Sequence, residues 1–153
     1  MWQRIQTLYL FISGVTSTLL LLVTLFTVNP SGQEVLYTAN FTGLIVSGWT
    51  SIKYFNLVTF VLTSLVTILS FATIFLYKWR KLQIRLTIIG LLLMVAAIVA
   101  FAYMLWQQAD LLQATTKMQG WIVLPVISLL CLYMAMRNII KDDILVRASN
   151  RLR

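Results

Sequence analysis

Few side chains in this sequence can do chemistry, and their spacing does not gather them into a site. The acids are Glu34, Asp110, Asp142 and Asp143. General acid–base work needs titratable groups held together, and Glu34, Lys53, Asp110 and Lys117 are widely separated along the chain. Asp142 and Asp143 are adjacent, but neighbours on a helix point about 100° apart, so they do not make a paired site by themselves. A divalent cation there is conceivable, but the arginines around them argue for charge pairing. Histidine is absent, which removes His-held haem, His-ligated zinc and a His general base. Cys131 is the single cysteine, so no intramolecular disulfide forms. It sits in the apolar run Ile127–Met136 and reads as a small buried hydrophobe rather than a reactive thiol. No Gly-rich phosphate loop, nucleophile elbow or metal-ligand spacing occurs. The expectation is a protein that is not an enzyme, with no cofactor, no bound metal and no identifiable small-molecule substrate.

The elements that would position these residues are set by composition. Of 153 residues, 60% are apolar or aromatic and only 10% are charged, and the mean hydropathy is +0.89. A soluble domain carries about 25% charged residues, and so apolar a chain is not disordered. The solvent is lipid. Four segments are long enough to cross roughly 30 Å of hydrocarbon: about 5–28, 54–77, 86–106 and 120–136, all of residues 1–153 forming one four-span domain. None has a charged residue in its middle. The first apolar run, Ile5 to Val28, is longer than the roughly 7–15 residues of a secretory h-region, and Asn29-Pro30-Ser31-Gly32 follows instead of a cleavage site. An uncleaved first span is expected.

Orientation follows from lysine and arginine. Arg4 precedes the first span, Lys78, Arg80, Lys81 and Arg85 fill the short second connection, and Arg137, Lys141, Arg147, Arg151 and Arg153 lie in the tail. The opposite side has only Lys53 and Lys117. Both termini are therefore expected in the cytoplasm. The formal charge of +8 reads as topology, not as a nucleic-acid surface, since no soluble basic stretch is interleaved with aromatics. Trp2, Tyr77 and Trp79 on the inner side, and Trp49, Tyr54, Trp106 and Trp121 on the outer, suit an interfacial belt.

The long first outer connection, Asn29 to Lys53, opens on the turn signal Asn29-Pro30-Ser31-Gly32. Gln33–Thr42 and Gly43–Trp49 are two short runs that can pair as a small antiparallel hairpin; alternatively, Leu44–Val46 dips into the membrane. Asn40-Phe41-Thr42 fits a glycosylation sequon, meaningful only in a eukaryotic secretory compartment. Within the spans, Ser13 and Ser17, Gly14 and Thr18, and Thr59, Thr63 and Thr67 recur at four-residue spacing. Helix packing is the favoured reading, and a hydroxyl-lined path the sharper one. Pro125, one turn into the fourth span, implies a local kink. In the tail, Ile140, Ile144, Ala148 and Leu152 are each four apart, with Asp143, Arg147 and Arg151 on a neighbouring face. That pattern is an amphipathic helix, lying on anionic headgroups or docking a partner. The fold class is an all-α membrane protein with four transmembrane helices, termini inside, a long first extracytoplasmic loop and a cytoplasmic C-terminal amphipathic helix.

The two ends of the chain carry a resemblance. Arg4-Ile5-Gln6-Thr7-Leu8-Tyr9-Leu10 resembles the start of an uncharacterised family, a domain of unknown function, of small four-span inner-membrane proteins from Bacteroidota-type bacteria. Ile140-Lys141-Asp142-Asp143-Ile144-Leu145-Val146-Arg147 through Asn150-Arg151-Leu152-Arg153 is similar to that family's basic tail. The resemblance brings no activity, cofactor or catalytic residue; it implies a bacterial inner membrane and draws attention to the two cytoplasmic ends. Arg4, Gln6, Arg137, Lys141, Asp143, Arg147, Arg151 and Arg153 share that side and form the candidate surface for a partner or for lipid. The first expectation for function is an accessory or assembly subunit of a larger inner-membrane complex, with anionic headgroups and partner membrane proteins as its contacts. A small homo-oligomeric transporter or channel comes second, with Thr59, Thr63 and Thr67 lining its route. A lipid-active enzyme comes last, because its titratable residues are not clustered.

Overall fold

Long apolar runs become helices here, and residues flanking them become strands. The computed structural model describes residues 2–30, 37–46, 52–76, 79–112 and 114–151. The helices are α1 (Trp2–Leu22), α2 (Leu57–Phe75), α3 (Arg80–Leu112) and α4 (Val123–Arg151). The strands are β1 (Phe26–Pro30), β2 (Tyr37–Asn40), β3 (Gly43–Val46), β4 (Ile52–Phe55) and β5 (Ala114–Met118). All four helices are long and apolar enough to cross a membrane, over Ile5–Leu22, Leu57–Phe75, Lys81–Gln107 and Gly120–Val146. Helix α1 packs on α4 and α2, and α3 packs on α2 and α4.

The helical body is apolar outside, and inside it mixes hydroxyl and amide side chains with an apolar core that includes Leu10, Leu20, Met94, Phe101 and Leu132. The buried face of α2 is Thr59, Thr63, Val66, Ser70 and Thr73. Gln6, Ser13, Thr16 and Ser17 of α1, Gln83 and Thr87 of α3 and Ser128 of α4 are buried as well. Leu8, Ile68, Leu92, Val99 and Leu130 point outward and are exposed. Lipid is as apolar as leucine, so association rests on close packing of the buried apolar side chains, while small and hydroxylated residues let the helices approach and bond.

The all-α expectation is corrected by a five-stranded antiparallel sheet at one end of the helices, in the order β4-β3-β2-β1-β5. The expected hairpin is its centre: β2 pairs with β3, Asn40 opposite Gly43, so only Phe41 and Thr42 form the loop. The side-chain oxygen of Asn40 accepts from Thr42 Oγ1, from the Thr42 amide at 3.2 Å and from the Gly43 amide at 3.1 Å. Gly43 has φ 143°, a conformation that side chains disfavour. Asn40 is thus a buried turn residue, not an open sequon. Leu44 is buried beneath the sheet rather than dipping into lipid.

The other three strands come from segments assigned to spans or to a connection. The first span was expected over 5–28, but α1 ends at Leu22 and Phe26–Pro30 forms β1. The second was expected over 54–77, but Ile52–Phe55 is β4 and α2 starts at Leu57. There Asn56 caps the helix, its side chain accepting from the Thr59 amide at 3.3 Å. The third was expected over 86–106, yet α3 runs over 80–112. Ala114–Met118 then pairs with β1, Phe26 opposite Met118 and Pro30 opposite Ala114.

The fourth span and the tail, separated at residue 137 in the sequence reading, are one helix. From Met136 to Arg151 there is no glycine or proline, and charge marks the edge of an apolar window without ending a helix. The C-terminal amphipathic segment is therefore the continuation of α4 to Arg151. Pro125 is also placed differently: α4 begins at Val123, after a short 3₁₀ turn at Gly120–Ile122. The proline occupies the first turn, where amide groups have no intrahelical acceptor, so its ring removes no helical hydrogen bond.

Candidate functional site

The sheet-distal end is assembled by two buried glutamines. Gln6 of α1 is buried, and its Nε2 donates to the Asn138 carbonyl of α4 at 3.2 Å. Gln83 of α3 is buried too, and its Nε2 donates to the Thr73 carbonyl of α2 at 3.3 Å. Each amide thus joins an antiparallel helix pair by reaching a main-chain oxygen. These bonds also set the helix levels. With Gln6 beside Asn138, the first residue of α1 lies level with about residue 142 of α4. Helix α2 stops at Phe75, one turn beyond Phe71, which lies against Gly14 of α1. The last turns of α4 therefore extend roughly 13 Å past the start of α1, at 1.5 Å per residue.

That extension holds most of the sequence-derived candidates. Arg137 and Lys141 are exposed, and Asp143 is half-buried. Arg147 and Arg151 occupy positions in the final turns of α4, and Arg4 lies in the first turn of α1. Arg153 lies outside the described residues. Among the candidates whose side chains are described, Gln6 is the one held inside, and it serves the α1–α4 joint. Ile144, Leu145 and Val146 are exposed on the extension. On the same end of the molecule, Lys81 and Arg85 of α3 are exposed.

A second polar joint lies deeper, between α1 and α4. Ser17 Oγ and Ser128 Oγ are 3.0 Å apart, Ser13 Oγ and Ser128 Oγ 3.4 Å, and Ser17 Oγ donates to the Ser13 carbonyl at 2.7 Å. The spacing of Ser13 and Ser17 was visible in the sequence. Ser128, an isolated serine in an apolar run, gave no signal that it faced them. Thr63 and Thr67 donate to the carbonyls four residues earlier, at 2.7 and 3.0 Å, and Thr59 donates to the Phe41 carbonyl at 2.7 Å. Hydroxyls engaged with main-chain oxygens favour the packing reading of this stripe over a lined path.

Thr59 thereby ties α2 to the hairpin tip. The Asn56 amide donates to the Thr42 carbonyl at 3.0 Å beside it. Phe41 is fully buried and stacks on Phe101 of α3, with ring centroids 4.4 Å apart and planes at 14°. The hairpin is therefore pinned into the helical body through one ring and one carbonyl. Sequence reading placed Phe41 in the first run of the hairpin and missed its role as the plug of the sheet.

Other groups capable of chemistry are dispersed. Asp110 is exposed on α3, Asp142 is half-buried on α4, and Cys131 is half-buried rather than fully enclosed. Glu34 lies outside the described residues. Among the described residues, no three acidic or cysteine groups gather where a metal could sit.

No curated protein matches this sequence. The family model described as "Domain of unknown function (DUF4293)" matches residues 2–152, nearly the whole chain, and the protein belongs to that family.

Proposed function

We propose that this protein is a non-catalytic accessory or assembly subunit of a bacterial inner-membrane complex, with both termini in the cytoplasm and the extension of α4 as its docking element. The observation that carries this reading is the extension itself. A helix continues past the helices that support it, bearing exposed Ile144, Leu145 and Val146 between Lys141 and Arg147. Apolar side chains among charges, at the end of a membrane helix, suit a helix-in-groove contact with a partner. The orientation rests on the lysines and arginines concentrated at the sheet-distal end. Lys81, Arg85, Arg137 and Lys141 would then face anionic headgroups around the dock.

The test is purification from native membranes in mild detergent, through a C-terminal tag on a flexible linker. A partner in stoichiometric amount is expected, reduced at least about tenfold by Arg147→Glu combined with Arg151→Glu, while the yield of the protein itself is unchanged. A tenfold loss corresponds to about 1.4 kcal/mol, within reach of two reversed charges at an interface. Recovery of the protein without a partner overturns the proposal. The same tag reports sidedness: protease added to intact spheroplasts leaves it uncut, and cleavage there overturns the orientation.

A further inference from the structure

Beneath the sheet, between α3 and α4, lies a cavity of about 220 Å³. Phe26 and Phe41 form its roof, Phe101 of α3 and Pro125 of α4 its walls, and Ala102 and Val126 its rim. All six are apolar, and Ala102 and Val126 are exposed, so the mouth opens on the outer surface between the two helices. The rim lies within the stretches of α3 and α4 that are apolar enough to cross a membrane, Lys81–Gln107 and Gly120–Val146.

The cavity cannot close on itself. Phe101 is held flat against Phe41 at 4.4 Å and lies against Phe26 at 6.0 Å. Pro125 has a short, rigid ring, and Ala102 offers one methyl group where a longer side chain would fill the space. Water is a poor tenant, since it needs two to four polar partners. Left empty, the lining forfeits its dispersion contacts. A dry apolar cavity of roughly 150 Å³ takes up benzene, so this one has room for a somewhat longer piece of hydrocarbon. Trp106 and Trp121 follow and precede lining positions and are exposed at the same end. Indoles favour the headgroup level, which puts the mouth where acyl chains begin.

We propose that the cavity binds one acyl chain of a membrane phospholipid, drawn in between α3 and α4 and covered by Phe41 of the hairpin. The proposal is independent of the docking reading of α4 and rests only on the helices being in a membrane. It makes the sheet the lid of a lipid site rather than only a cap on the helices.

The test uses the full chain in vesicles containing a phospholipid with a photoactivatable diazirine in one acyl chain. After irradiation, adducts are mapped by mass spectrometry. Labelling is expected at Phe101, Ala102 and Pro125, and also at the outward-facing controls Leu92 and Val99, which any lipid touches. Ala102→Phe fills the space, so it is expected to cut the cavity adducts at least about fivefold and leave the controls unchanged. Val126→Phe, on the opposite rim, does the same should the first variant fail to fold. Equal loss at both sets overturns the proposal, as does labelling of the controls alone. The latter pattern would assign the cavity to an apolar side chain of a partner protein.

Discussion

Replacing Gly14 by leucine unseats α1 from α2. A Cβ built on Gly14 would lie 2.9 Å from Phe71 Cζ and 3.1 Å from both Cε atoms. The first of these is closer than a Cβ tolerates, so the ring must move. Moving Phe71 also disturbs its edge-to-face contact with Phe11, at 6.2 Å between centroids and 73° between planes. Alanine asks for a shift of a few tenths of an ångström. Leucine asks for the ring's whole position. Overpacking typically costs about 1–3 kcal/mol, and Gly14→Leu is expected at or above the upper end. At this chain length 3 kcal/mol lowers the melting temperature by about 6–12 °C. Thermal unfolding in detergent, followed by circular dichroism, checks the value. The double variant Gly14→Leu with Phe71→Ala is expected to recover more than half of the loss, since the two sites share one volume. No recovery would place the defect within α1 rather than at its contact with α2.

Phe41→Ala has the second large effect, and for a different reason. The ring is fully buried, stacked on Phe101 and set in the two-residue loop of the β2–β3 hairpin. Its removal enlarges a cavity already about 220 Å³ in volume and deletes the stack. Phenylalanine-to-alanine changes in cores cost about 3–5 kcal/mol, and aromatic pairs add about 0.5–1.5 kcal/mol to area alone. The hairpin keeps its own bonds through Asn40 and loses its anchor to the helices. The expected result is a melting temperature lower by about 10 °C, together with rapid proteolysis between β2 and α2. Phe41→Leu keeps most of the volume and should lose less than half as much. Equal losses from alanine and leucine would show that stacking, not filling, holds the tip.

How far the sequence speaks depends on which force set each feature. The four apolar windows were legible because lipid demands about 20 apolar residues per crossing, and each window overlaps an observed helix. Their ends were not. Phe26 and Val28 belong to β1 and Phe55 to β4, but such residues score like span residues. Hydropathy reports the solvent of a segment and says nothing about its backbone. The hairpin was legible because Gly43 punctuates two short runs, a local signal. The pairing of β1 with β5 joins residues about 90 apart in sequence, and no local pattern carries that. In the tail, the four-residue rhythm gave the helix, while the first charge was taken as a boundary that the backbone ignores. Of the candidate surface, Gln6 was singled out by its end of the chain, and its partner is a backbone carbonyl, which any residue type would offer. Ser128 and Phe41 were overlooked as joints because each becomes special only through what faces it.

The order of the strands also governs how the protein is made. Four strands of the sheet are synthesised in the first connection, but the fifth arrives only after α3, at Ala114–Met118. Because β5 bonds to β1 and not to the neighbouring end of the sheet, a nascent chain halted after α2 would display β1 with one side of its main chain unsatisfied. Such an open strand is a template for wrong partners. Completion of the sheet therefore waits for α3: β1 gains its second neighbour only once Ala114–Met118 has been made, before α4. Chains truncated after α2 should be recognised by quality-control proteases, even with both of their helices already in place.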